Sequence, residues 1–123
     1  MAQSAKWLRQ FEKNFKIPFF VEIKSMPNSA PIGIFDSGIG GLTLAHAITE
    51  LMPQENIIYF GDTAHLPYGD KSATAIQAYS VKICNLLLEK NCKLILIACN
   101  SASAAAYDLV KAYVGTKAKV VNV

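Results

Sequence analysis

The stretch Leu94-Ile95-Leu96-Ile97-Ala98-Cys99-Asn100-Ser101-Ala102-Ser103 carries an apolar run straight into a run of small residues. The first half reads as a buried strand, and the half from Ser101 reads as the first turns of a helix. Cys99 stands at the junction. A thiol there faces backbone N–H groups and the positive end of the helix dipole, and both favour thiolate over thiol. The plain alternative is a buried structural cysteine, and this stretch alone does not separate the two.

On either side of it the same strand-to-helix step recurs. Ile32 to Phe35 is a short apolar strand. Leu42 to Met52 follows as a helix, with Leu44/Ala45, Ile48 and Leu51/Met52 on one face and Pro53 to close it. Asn56 to Phe60 is the second strand. Ser72 to Lys90 is the longest helix, aligning Ile76, Tyr79, Ile83, Leu86 and Leu87. Lys93 to Ala98 is the third strand, Ser101 to Val114 the third helix, and Lys119 to Val123 the start of a fourth strand. This alternation predicts a doubly wound, mostly parallel α/β sheet with helices on both faces and right-handed crossovers. Val120-Val121-Asn122-Val123 stops within a strand, so the expectation is the front part of a longer protein, an incomplete first domain.

The 123 residues match one domain, and 52% hydrophobic content is enough for a packed core. The net charge of +3 resides in residues 1–25, where Lys6, Arg9, Lys13, Lys16 and Lys24 face only Glu12 and Glu22. The rest of the chain balances its charges, which argues against a nucleic-acid partner. Trp7, Leu8, Phe11 and Phe15 fall near helical spacing, as in a basic amphipathic helix that touches a membrane or a partner. The favoured expectation is blander. Residues 1–30 read as a dispensable or mis-started extension, since Met26-Pro27-Asn28-Ser29-Ala30-Pro31 looks like an ordinary start, and residues 31–123 read as the domain. Cys84, Cys92 and Cys99 lack zinc-site spacing and suit no disulfide framework, so a reducing compartment, the cytoplasm, is expected. No stretch reaches the ~18 consecutive apolar residues of a membrane span, and no secretion signal is evident. Neither a membrane nor a metal is expected.

Three loops leave the carboxyl ends of the strands, where ligands gather in open parallel sheets. The first, Asp36-Ser37-Gly38-Ile39-Gly40-Gly41, resembles a phosphate-cradling turn but lacks the spacing of a dinucleotide fingerprint and the lysine of a P-loop. An acid at the strand end is awkward beside phosphate. It suits an ammonium group or a neighbouring thiol; standing alone, the loop would read as a helix cap and tight turn. In the second loop, Gly61 to Gly69, the Pro67-Tyr68-Gly69 turn can present N–H groups to a carboxylate. His65 is a candidate general acid or base, although a lone loop histidine is more often solvated or capping. Asp62 reads as an ordinary turn acid and His46 as a surface or partly packed residue. Tyr59, Tyr79, Tyr107 and Tyr113 read as packing residues, and Cys84 and Cys92 as structural ones.

Together, the segments Ile32–Thr43, Tyr59–Gly69 and Ala98–Ala104 resemble the three amino-terminal motifs of the glutamate racemases, in the aspartate/glutamate racemase family. The likeness runs from about Pro31 to Val123, in order and with suitable gaps, and leaves residues 1–30 outside. It implies a cofactor-independent isomerase that interconverts L- and D-glutamate and supplies D-glutamate for peptidoglycan. It also implies Cys99 as one of two catalytic thiols and Asp36 as the acid beside it. Substrate contacts would come from Asp36, Ser37, Pro67, Tyr68, Gly69, Asn100 and Ser101. The family usually shows Thr where this chain has Ser101, which keeps the hydroxyl. The family's second thiol lies in a Gly-Cys-Thr-His segment of a second domain, and this chain ends before it.

Inverting an α-carbon means removing a proton from one face and returning one to the other. Two opposed acid–bases suit that task, and a thiol tuned towards the operating pH suits each. No lysine pattern announces pyridoxal phosphate, and the expectation is no cofactor. With one thiol, the chain alone is expected to be inactive. The expected partner is small-molecule D/L-glutamate, and a homodimer fits the same resemblance. Two rival readings stand beside it: an aspartate-type racemase or related carbanion enzyme, and a non-catalytic fragment that grips a dicarboxylate.

Overall fold

Apolar residues run almost unbroken along the central strands, and because successive side chains point to opposite faces the sheet is apolar on both. The computed structural model describes residues 19–26 and 29–123. Its strands are β1 (Phe19–Ile23), β2 (Ile32–Asp36), β3 (Ile57–Gly61), β4 (Leu94–Ile97) and β5 (Lys119–Asn122). The helices are α1 (Leu42–Leu51), α2 (Ala73–Glu89) and α3 (Asn100–Val114), with short 3-10 turns at Thr63–His65 and Tyr68–Asp70. The five strands form one sheet in the order β1-β3-β2-β4-β5. All neighbours run parallel except β1, which pairs antiparallel with β3. The doubly wound, mostly parallel architecture is therefore as expected.

Each face has its own core. Ile32, Ile34, Ile57 and Tyr59 pack under α1 through Ala45, with Leu42 and Ile48 at its margin. Phe35, Ile58, Phe60, Ile95 and Ile97 pack on the other face beneath α2 and α3, which supply Ile76, Ile83, Leu87, Ala102, Ala106 and Val110. Full burial of a side chain such as Ile34, Phe35 or Leu87 stabilises by roughly 1.5–3 kcal/mol. The small residues at the start of α3 let that helix lie close on the sheet. Ser72 caps α2 by accepting the Ala75 N–H at 3.1 Å.

Two features depart from the sequence reading. Leu51 and Met52, assigned to the apolar face of the first helix, are exposed, because α1 ends at Leu51 and packs only through its earlier turns. The sequence pattern also places no strand before Ile32, yet Phe19–Ile23 adds one along the β3 edge. The buried Asn56 side chain secures the segment behind that strand. Its Oδ1 accepts the Ser25 and Met26 N–H groups at 2.6 and 2.8 Å, and its Nδ2 donates to the Met26 and Ser29 carbonyls. The aromatic–basic run at Trp7, Leu8, Phe11 and Phe15 lies outside the described residues.

Candidate active site

β2 feeds α1 on one face and leads to β3 on one side. α2 then crosses the other face to β4 on the opposite side of β2. The carboxyl ends of β2 and β4 therefore flank the point where the winding reverses, and their loops part to leave a crevice. A cleft of about 500 Å³ opens there, lined by Asp36, Ser37, Gly41, Cys99, Asn100 and Ser101 among others.

Cys99 is the N-cap of α3. Its backbone is extended, and its Sγ accepts the Ala102 N–H at 3.5 Å. The sulfur thus takes one of the donors that the first helical turn leaves without a partner. Asn100 is exposed and Ser101 half-buried beside it. Cys99 itself is buried, at the cleft edge of the core that also holds Cys84 and Cys92, whose thiols burial pushes up to about 12. The three cysteines are all free.

Asp36 is buried at the end of β2, and donors meet both its oxygens. Oδ1 accepts the Ser37 N–H at 2.8 Å; Oδ2 accepts the Gly41 N–H and the Tyr59 hydroxyl, each at 2.6 Å. The close turn requires glycine. A Cβ on Gly41 would lie 2.8 Å from Asp36 Oδ2 and 3.2 Å from the Ala98 methyl. Gly61 is constrained likewise, since a Cβ there would collide with the Gly38 carbonyl.

The second loop approaches from the α3 side and contributes differently. Pro67 and Gly69 are exposed, and the Leu66–Pro67 peptide is cis. Tyr68 is buried: its ring packs edge-on to Phe35 with centroids 6.2 Å apart, and its hydroxyl donates to Asp62 Oδ2 at 2.6 Å. Burial, and then the Asp62 carboxylate, push that phenol far above the usual tyrosine range. A Cβ on Gly69 would come within 3.9 Å of Ser101 Oγ, so the turn borders the start of α3. Asp36, Ser37, Cys99, Asn100 and Ser101 thus share the cleft, while Pro67, Tyr68 and Gly69 are not among the residues that line it.

Asp62 proves to be no ordinary turn acid. It is fully buried and also contacts His65 Nδ1 at 2.8 and 2.9 Å. The His65 ring stacks on Tyr79 at 4.0 Å. Tyr113, a packing residue by its sequence pattern, is exposed and donates to Asn85. Tyr59 does pack in the core, yet its hydroxyl also reaches Asp36. Nothing in the local pattern marks either Asp62 or Tyr59, because the meaning of each comes from a side chain elsewhere in the chain.

With this geometry in view, the comparisons are specific. The glutamate racemase of Symbiobacterium thermophilum is 52% identical over 82 residues, which is 67% of this chain and 30% of that protein. The chain is homologous to glutamate racemases. It spans about a third of the length of the curated relatives it matches. Glutamate racemase from Francisella tularensis, solved with D-glutamate, superposes with a TM-score of 0.72 at 44% identity, covering 76% of this chain and 35% of that one. The Escherichia coli glutamate racemase, solved with L-glutamate and the activator UDP-MurNAc-ala, gives 0.69 at 33% identity over 77% and 36%. No family model matches the chain. Among the described residues, no helix is long and apolar enough to cross a membrane.

Proposed function

We propose that this chain forms part of a cofactor-independent racemase that interconverts L- and D-glutamate and supplies D-glutamate for peptidoglycan in the cytoplasm. The observation that carries the reading is the switch-point cleft, in which Cys99 at a helix N-terminus shares the walls with Asp36. Glutamate-bound relatives of the same fold support the substrate class.

In this reading the Cys99 thiolate removes the α-proton of one enantiomer and becomes a thiol. The electron pair stays on the α-carbon and spreads into the adjacent carboxylate. An opposed thiol, supplied outside this chain, gives a proton to the other face and becomes the thiolate; the reverse reaction restores both. The α3 N-terminus and the Ser37 and Ser101 hydroxyls favour the negative charge that grows on the substrate carboxylate. Tyr68 and Gly69 complete the grip from the side, and Asp36 orients the ammonium group and the thiol. One thiol serves one face, so the chain alone does not racemise.

Substrate preference tests the reading. The complete gene product is expected to racemise L-glutamate with a kcat/KM at least about tenfold above that for L-aspartate. Equal turnover of the two, or a preference for aspartate, would replace glutamate as the substrate.

A further inference from the structure

Asp36 is held mostly by its own loop. The Ser37 and Gly41 N–H groups both come from the turn it begins, so they fix the carboxylate relative to that turn only. The contact that ties it to a different strand is the Tyr59 hydroxyl, 2.6 Å from Oδ2. The same hydroxyl lies 2.9 Å from the Gly38 carbonyl, so one phenolic proton bridges the carboxylate and the middle of the glycine turn.

Tyr59 is well placed for this. Its ring is buried on the α1 face, opposite Ile34 on β2 and Val21 on β1, with Phe19 packed edge-on at 6.0 Å. Burial first, and the neighbouring Asp36 second, push the phenol far above the ordinary tyrosine range, so it remains a donor wherever the protein is folded. A phenylalanine would fill the same hydrocarbon volume, and the core by itself has no use for the oxygen.

We infer that Tyr59 is a positioning residue that locks the Asp36 carboxylate against the cleft. The inference rests on Asp36 and Cys99 working together as proposed above. It adds a strand-to-strand contact that fixes the acid, and it extends the support of the site to β1 through Phe19.

The test is the pH profile of Cys99 alkylation by iodoacetamide in this chain, from about pH 6 to about pH 10, read cysteine by cysteine by mass spectrometry. Four proteins are compared: wild type, Tyr59→Phe, Asp36→Asn and the double variant. Asp36→Asn removes a negative charge from the cleft and speeds neutral-pH alkylation by about threefold or more. Tyr59→Phe takes a donor from the carboxylate, leaves its charge less compensated, and moves the profile the other way by a similar factor. In the Asp36→Asn background, Tyr59→Phe changes the rate by less than about 1.5-fold, because there is no longer a carboxylate to lock. Equal effects of Tyr59→Phe in both backgrounds would show a general packing role and overturn the inference. So would a Tyr59→Phe profile that overlays wild type while Asp36→Asn moves. A profile unmoved by Asp36→Asn would instead sink the pairing of Asp36 with Cys99, and the Tyr59 inference with it. Replacing Tyr59 by 3,5-difluorotyrosine keeps ring and hydroxyl and strengthens the donor. It shifts the profile opposite to phenylalanine, and a shift in the same direction would contradict the inference even if Tyr59→Phe folds poorly.

Discussion

Three buried cysteines in one small chain meet two kinds of surroundings. Cys99 caps a helix at a cleft, whereas Cys84 and Cys92 are shut into the core. Their thiols rise from 9.0 to about 12, through burial first and, for Cys84, the nearby Cys92 second. Below pH 9 both thiols are protonated in the folded and unfolded chains, and their contribution to stability is complete. Between pH 9 and 12 the unfolded chain gives up protons that the folded chain keeps, so stability falls as pH rises. Tyr59 and Tyr68, both raised, add the same sign above their ordinary value of 10.0. The melting temperature should therefore drop by about 4 °C or more between pH 8.5 and pH 10, and less steeply in a Cys84→Ala/Cys92→Ala variant. A melting temperature that stays level across that range would contradict the burial argument. The positions of Cys99 and Asp36 at strand-to-helix boundaries were legible because such a boundary is a local pattern. Asp62 and Tyr59 were not: their meaning comes from Tyr68 and Asp36, 6 and 23 residues away, through contacts that periodicity does not encode.

Among the described elements, β2, β3, β4, β5, α1, α2 and α3 follow from apolar period and capping. The additional strand, β1, does not. Phe19-Phe20-Val21 sits directly after a basic, aromatic stretch, and an edge strand is specified mainly by the partner it pairs with. Here that partner is β3, and Asn56 supplies the clamp behind it with four hydrogen bonds to backbone. Phe19–Ile23, Ser25, Met26 and Ser29 therefore have contacts that a dispensable extension would not need. Asn56→Ala strands those backbone groups and should cost about 2–4 kcal/mol in urea denaturation, with faster amide exchange at Ser25 and Met26. Removing residues 1–30 should cost at least as much, since it also bares the β3 edge. A truncated chain as stable as the original would restore the reading of this segment as dispensable.

For the whole molecule, the reversal of chain winding and the candidate site coincide. The sheet reverses its winding between β2 and β4, and the two loops that part there bring Asp36 and Cys99 to one cleft from positions 63 residues apart. The order of strands and helices was readable, but the strand order that creates this crevice depends on pairing between distant segments. Gly69 borders Ser101 at the start of α3, and the buried Tyr68 is held through Asp62 and Phe35. Proposed transfer of the α-proton by Cys99 is tested by exchange of the glutamate α-proton with D2O, followed by NMR from each enantiomer, in the complete gene product and its Cys99→Ser variant. Serine should lower exchange from one enantiomer by at least about a hundredfold while the fold is retained. Exchange at the wild-type rate from both enantiomers would contradict it.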